Sequence, residues 1–211
     1  MFAVCALASA VALAQQTVYD NSATPLVDGL GKQLFHPQGT ATEFGDEITL
    51  APGDRFVSQI QFEYFGLAAS GNFTLQFYDK PGGVPSAPGG LLFQSLPAPI
   101  LADYHKVTVD LSATLVPVGD DLVWTVQFDS GNGGLLQYDN SSPGVIGSSF
   151  NDFWEKTAGG VWQLSQIKDG ANTIPANFGA KVVAVQEPGT LATLLGGLAM
   201  LGVVVYRRRS A

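Results

Sequence analysis

The sequence predicts an all-β protein, an antiparallel β-sandwich of jelly-roll kind. Three observations lead there. Apolar and polar residues alternate with a period of two over several short stretches. Clusters of Gly, Pro, Asn and Asp separate those stretches. Between the two ends, no long stretch carries the apolar spacing of an amphipathic helix.

The elements follow in chain order. TVYD at 17–20 and EFGDEITL at 43–50 are short strand candidates. In RFVSQIQFEYFG, Phe56, Ile60, Phe62 and Tyr64 fall on one face and Gln59, Gln61 and Glu63 on the other. In NFTLQFYD, Phe73, Leu75 and Phe77 oppose Thr74 and Gln76. LLFQS at 91–95 is a further short candidate. In HKVTVDL, Val107, Val109 and Leu111 oppose Lys106, Thr108 and Asp110. DLVWTVQFD turns Leu122, Trp124, Val126 and Phe128 inward. LLQY at 135–138 and VWQL at 161–164 follow, and NFGAKVVAVQ puts Phe178, Ala180, Val182 and Ala184 on one side. APGD, KPGGVPSAPGG, DSGNGG, NSSPG and TAGG stand between as turns, with residues 80–90 a surface loop inside the domain. Such strands predict one core face and one wet face.

The two ends differ from this middle. Residues 1–13 carry no charge, and Ala12-Leu13-Ala14 fits the small-x-small cleavage pattern of a secretory signal peptide, so 1–14 reads as a leader without a basic n-region. Cys5, the chain's one cysteine, lies in it, so no disulfide can staple a domain over 15–185. At the other end, Leu191 to Tyr206 is an apolar run, and Arg207, Arg208 and Arg209 follow it. A helix over 191–206 spans roughly 24 Å, shorter than the hydrocarbon core of about 30 Å. The adjacent arginines still favour a short membrane span, with its C-terminal end cytoplasmic, over a core helix.

Glu187-Pro188-Gly189, the short apolar run and the terminal arginines together resemble the PEP-CTERM sorting signal of exported Gram-negative bacterial proteins. The likeness covers residues 186–211. Gln186 stands where the family usually has its first proline. The resemblance implies a tag whose Glu187, Pro188 and Gly189 are recognised by a membrane processing enzyme, exosortase. It implies that the chain is anchored through 191–206 before processing, and lies at the cell surface or outside afterwards. The middle, in EFGDEITLAPGDRFVSQIQFEYFG, LQFYDKPGG, PGGLLFQS, WTVQFDSG and GSSFNDFWEK, is similar to passenger domains found ahead of this tag. That likeness implies an exported all-β domain and no particular chemistry.

Charge narrows the function. The chain has 10 Lys and Arg, 18 Asp and Glu, and a net charge of −8. Three of those bases (Arg207–Arg209) and one acid (Glu187) lie in 186–211, which leaves seven against seventeen before it. That balance argues against nucleic acid and anionic surfaces.

Candidate chemistry is sparse. His36 and His105 are far apart in sequence, and no serine sits in a Gly-x-Ser-x-Gly elbow. Asp46 and Glu47 are adjacent on a strand and point to opposite faces. Asp120-Asp121 reads as a turn before a strand. In NDFWEK, Asp152 and Glu155 flank Phe153 and Trp154, acceptors beside an aromatic face suited to a sugar, and Trp162, Tyr138 and Tyr104 are further aromatic candidates. The bland alternative for that segment is a core tryptophan with solvated acids. In DSGNGG, Asp129 and Asn132 offer oxygens to calcium, although a hairpin turn explains the same residues. The sequence thus reads as an exported protein with a structural or surface-binding role, no enzymatic activity and no required cofactor. One alternative is a carbohydrate-binding module for extracellular polysaccharide, and another a calcium-dependent hydrolase.

Overall fold

The computed structural model describes residues 14–28, 31–32, 34–35, 43–80, 87–139, 141, 143–169 and 172–186. The leader over 1–13, His36, and the tag residues Glu187, Pro188, Gly189, 191–206 and Arg207–Arg209 lie outside the described residues.

The described chain is all-β. Its main strands are β1 (Gln15–Asp20), β2 (Glu43–Thr49), β3 (Phe56–Gly66), β4 (Asn72–Asp79), β5 (Leu91–Gln94) and β6 (Asp103–Asp110). β7 (Asp121–Phe128), β8 (Gly133–Leu136), β9 (Phe153–Lys156), β10 (Trp162–Ser165) and β11 (Ala180–Val185) follow. Every stretch expected to be a strand is one, at least in part. Among the described residues no helix is long and apolar enough to cross a membrane.

Two large antiparallel sheets form, with two short two-stranded ones beside them. In the first, β1 pairs with β11, β11 with β3, and β6 lies along the far edge of β3. β8 continues the line of β11 on β3. In the second sheet the order is β10–β9–β2–β7–β4–β5. The chain changes sheet at most of its connections, so most pairings are between strands distant in sequence.

The sheets pack face to face on the side chains that alternation turned inward. Phe62 of the first sheet meets Phe73 and Trp124 of the second, with ring centroids 5.8 and 6.0 Å apart. Tyr64 meets Phe73 at 5.2 Å, and its hydroxyl accepts a hydrogen bond from the Leu101 N–H at 3.0 Å. Each such aromatic, fully buried, contributes about 1.5–3 kcal/mol. Gly71 makes the turn into β4, with φ +84°, and a Cβ there would strike the Asp129 and Ser130 side chains.

Two details depart from simple alternation. Val57, not Phe56, belongs to the buried core, and Phe56 is only partly buried. The register between β11 and β3 steps from Val183↔Gln59 to Ala184↔Val57, which leaves Ser58 as an extra residue. A bulge of this kind reverses the facing of everything before it. Its carbonyl still has a partner, because the Leu111 N–H donates to it at 2.8 Å. The second departure is the outer face of the second sheet. It is not wet where Val123, Thr125, Glu43, Glu47, Tyr78, Lys80 and Trp154 lie, all of them buried.

Candidate functional site

That outer face is built from β9 upward. Phe153 points into the core and meets Phe178 edge-on at 6.0 Å. Trp154, next in the strand, points the other way and joins Tyr78 and Val123 in a separate cluster. Both aromatics of NDFWEK are thus buried, one on each face; Trp154 is 4 % exposed. Its Nε1 donates to Glu47 Oε2 at 3.0 Å. Lys80 Nζ lies 2.5 Å from the same oxygen and 5.0 Å from the Trp154 ring centre.

A second lysine repeats the arrangement. Lys156 Nζ is 3.5 Å from Glu43 Oε2, 4.9 Å above Trp162 and 5.3 Å above Tyr78. Thr125 donates its hydroxyl to Glu43 Oε1 at 2.8 Å. Burial, with the nearby Glu43 charge second, pushes the Tyr78 phenol well above its usual range. Each ammonium is held by a carboxylate and an aromatic face together, which offsets the cost of taking it out of water.

Beside this cluster, at the sheet edge, a cleft of about 400 Å³ opens between Asp152, Gln163, Leu164, Ser165, Gln166 and Lys168. Asp152 precedes β9, Gln163 and Ser165 share one face of β10, and Lys168 lies in the short strand Ile167–Asp169. Burial raises the Asp152 carboxyl above its usual range, the Glu47 charge adds to the rise, and Lys80 partly opposes it. The Ser165 hydroxyl donates to Glu155 Oε1.

The residues singled out in the sequence therefore separate. Asp152 lines the cleft, Glu155 holds one of its walls through Ser165, Trp162 is half-buried beside Tyr78, and Trp154 is enclosed. Gln163, Ser165, Gln166 and Lys168 carried no recognisable motif; their one signal is that polar residues recur after Trp162, interrupted by Leu164 and Ile167. Tyr138 is buried and donates to Glu63 Oε2 at 2.5 Å, while Tyr104 is exposed and lies edge-on to Phe65.

The remaining candidates have structural partners. Asp129 accepts the Asn72 N–H at 2.7 Å and its Nδ2 at 3.1 Å, and the Asn132 carbonyl accepts the Leu67 N–H at 2.7 Å. Among the described residues no three His, Cys, Asp or Glu side chains gather as metal ligands. His105 Nε2 lies 2.7 Å from the Ala102 carbonyl, and its ring stacks on Tyr64. Asp120 pairs with Arg55 at 2.7 Å, and Asp121 accepts the Thr49 hydroxyl. Glu47 faces outward, as alternation requires. Asp46 faces inward, fully buried, and accepts the Phe178 N–H at 3.3 Å.

No protein-family model matches this chain, and no curated protein matches it.

Proposed function

We propose that this is an exported protein, sorted by a PEP-CTERM-type tag, whose β-sandwich serves a structural or surface-binding role at the cell surface or in the extracellular matrix. The observation that carries the proposal is that the first and last of the main described strands pair with each other. Gln15 and Val185 are register partners in the first sheet, so the strands next to both expected processing junctions pair with each other. β11 has partners on both sides before Gln186 begins. A leader and a tag can then leave without removing a described strand.

The strand order supports the finer reading of a jelly roll. β1–β11–β3–β6 and β2–β7–β4–β5 are two four-strand sets linked by crossings between sheets. In this proposal the partners are an exosortase-type enzyme and the membrane before processing. The domain itself has no catalytic role and no required cofactor.

Mass spectrometry of the protein from its native host tests the proposal. The expected surface form begins at Gln15 and ends near Glu187, without the apolar run. A surface form that retains both residues 1–14 and residues 191–206 overturns it.

A further inference from the structure

The cleft at the edge of the second sheet collects polar groups that the fold itself does not use. The Gln163, Gln166 and Lys168 side chains are exposed and have no side-chain partner among the described residues. Among the described residues β10 is the edge strand of its sheet, and no strand pairs with its outer side. The volume, about 400 Å³, is in the range of small-molecule sites.

The chemistry of the lining selects a ligand class. Two primary amides each offer donors and an acceptor, Asp152 offers a carboxylate, Lys168 an ammonium, and Ser165 a hydroxyl oxygen. An apolar ligand would leave these groups desolvated and unpaired. A polyanion would meet Asp152 and the acidic balance of residues 15–186. A polycation would meet Lys168. A neutral ligand with closely spaced hydroxyls, donors and acceptors at once, satisfies all five.

We propose that this cleft, through Asp152, Gln163, Gln166 and Lys168, binds a neutral saccharide unit of an extracellular polysaccharide. This rests on the surface-binding arm of the function proposed above and names its ligand class and site. Its test does not depend on sorting, so either proposal can fail alone.

The full chain in detergent is run on native gels containing a neutral glucan, a galactomannan or a xylan, with alginate as the polyanion. The variants are Gln163→Ala/Gln166→Ala and, as a control away from the cleft lining, Val161→Ala. The expected result is retardation by at least one neutral polysaccharide. The double variant should weaken it by about tenfold or more, the loss of roughly one good hydrogen bond's worth of affinity. Val161→Ala should bind unchanged, and all three proteins should melt together. No retardation by any neutral polymer, equal or stronger retardation by alginate, or unchanged binding in the double variant overturns the proposal.

Discussion

Lys80 and Glu47 meet at 2.5 Å on the outer face of the second sheet, with side chains only 2 % and 8 % exposed. The Glu47 carboxylate also takes the Trp154 indole N–H, so one acid answers both a charge and a neutral donor. Opposite charges this far from water hold each other, and neither is tolerable alone.

Lys80→Met should therefore destabilise the fold by about 3–5 kcal/mol, because it leaves Glu47 buried and unpaired. Glu47→Gln in the same chain should recover most of that loss, since a neutral amide still accepts from Trp154. Urea denaturation of the four proteins of the cycle measures the coupling. Additive losses would show that the two side chains do not depend on each other.

Asp46 makes stability depend on pH. Its burial raises the carboxyl well above the usual range, against the opposing Phe178 N–H. The folded state then holds the proton more tightly than the unfolded chain, whose carboxyl ionises near about pH 3.9. As pH rises above that value, this residue's contribution to stability falls, until the folded-state value is passed. Asp46→Asn should gain on the parent as pH rises above about 4, until the folded-state value is passed, read as the difference in melting temperature. A difference that does not change with pH would contradict the assignment.

Trp154→Ala should cost about 3–5 kcal/mol, the usual loss for a buried tryptophan. Trp162 is only partly buried, and Trp162→Ala should cost less. Thermal denaturation ranks the two. Equal melting of parent and Trp154→Ala would mean that the ring is not packed as described.

Asp129→Ala should cost about 1–3 kcal/mol by releasing two bonds from Asn72. Millimolar calcium should leave the parent's melting temperature unchanged. A rise that Asp129→Ala abolishes would identify a calcium ligand instead of a turn clamp.

A chain ending at Gln186 should fold and melt as the full chain does. Circular dichroism would report β structure and a cooperative transition. A molten product restored by residues 187–211 would show that the apolar run packs on the domain.

Strands were legible because their faces contrast sharply. Leu122, Trp124, Val126 and Phe128 repeat at a period of two, and all four are buried. The bulge at Ser58 was not legible, since it depends on how β11 registers against β3, a pairing over more than a hundred residues. Nor was the covered outer face. Val123 and Thr125 have β2 on one side and β4 on the other, and large side chains from β9 lie over the same face. The unbroken Leu122-Val123-Trp124 run was the one hint that both faces of β7 are covered. Asp152 could be singled out from its neighbours in sequence. Gln163, Gln166 and Lys168 could not, because only the pairing of β9 with β10 brings that segment beside Asp152.

The pairing of Gln15 with Val185 has a mechanical consequence. A pull on the chain beyond Val185 runs along the axis of β11, which is bonded to β1 on one side and β3 on the other. The load falls on both ladders together, in shear, and cannot peel them apart one bond at a time. Resistance to such a pull is set by the rate of unfolding and not by equilibrium stability. A domain tethered at this point would withstand drag on its surface better than one tethered through an edge strand such as β6, whose single ladder could be unzipped from one end.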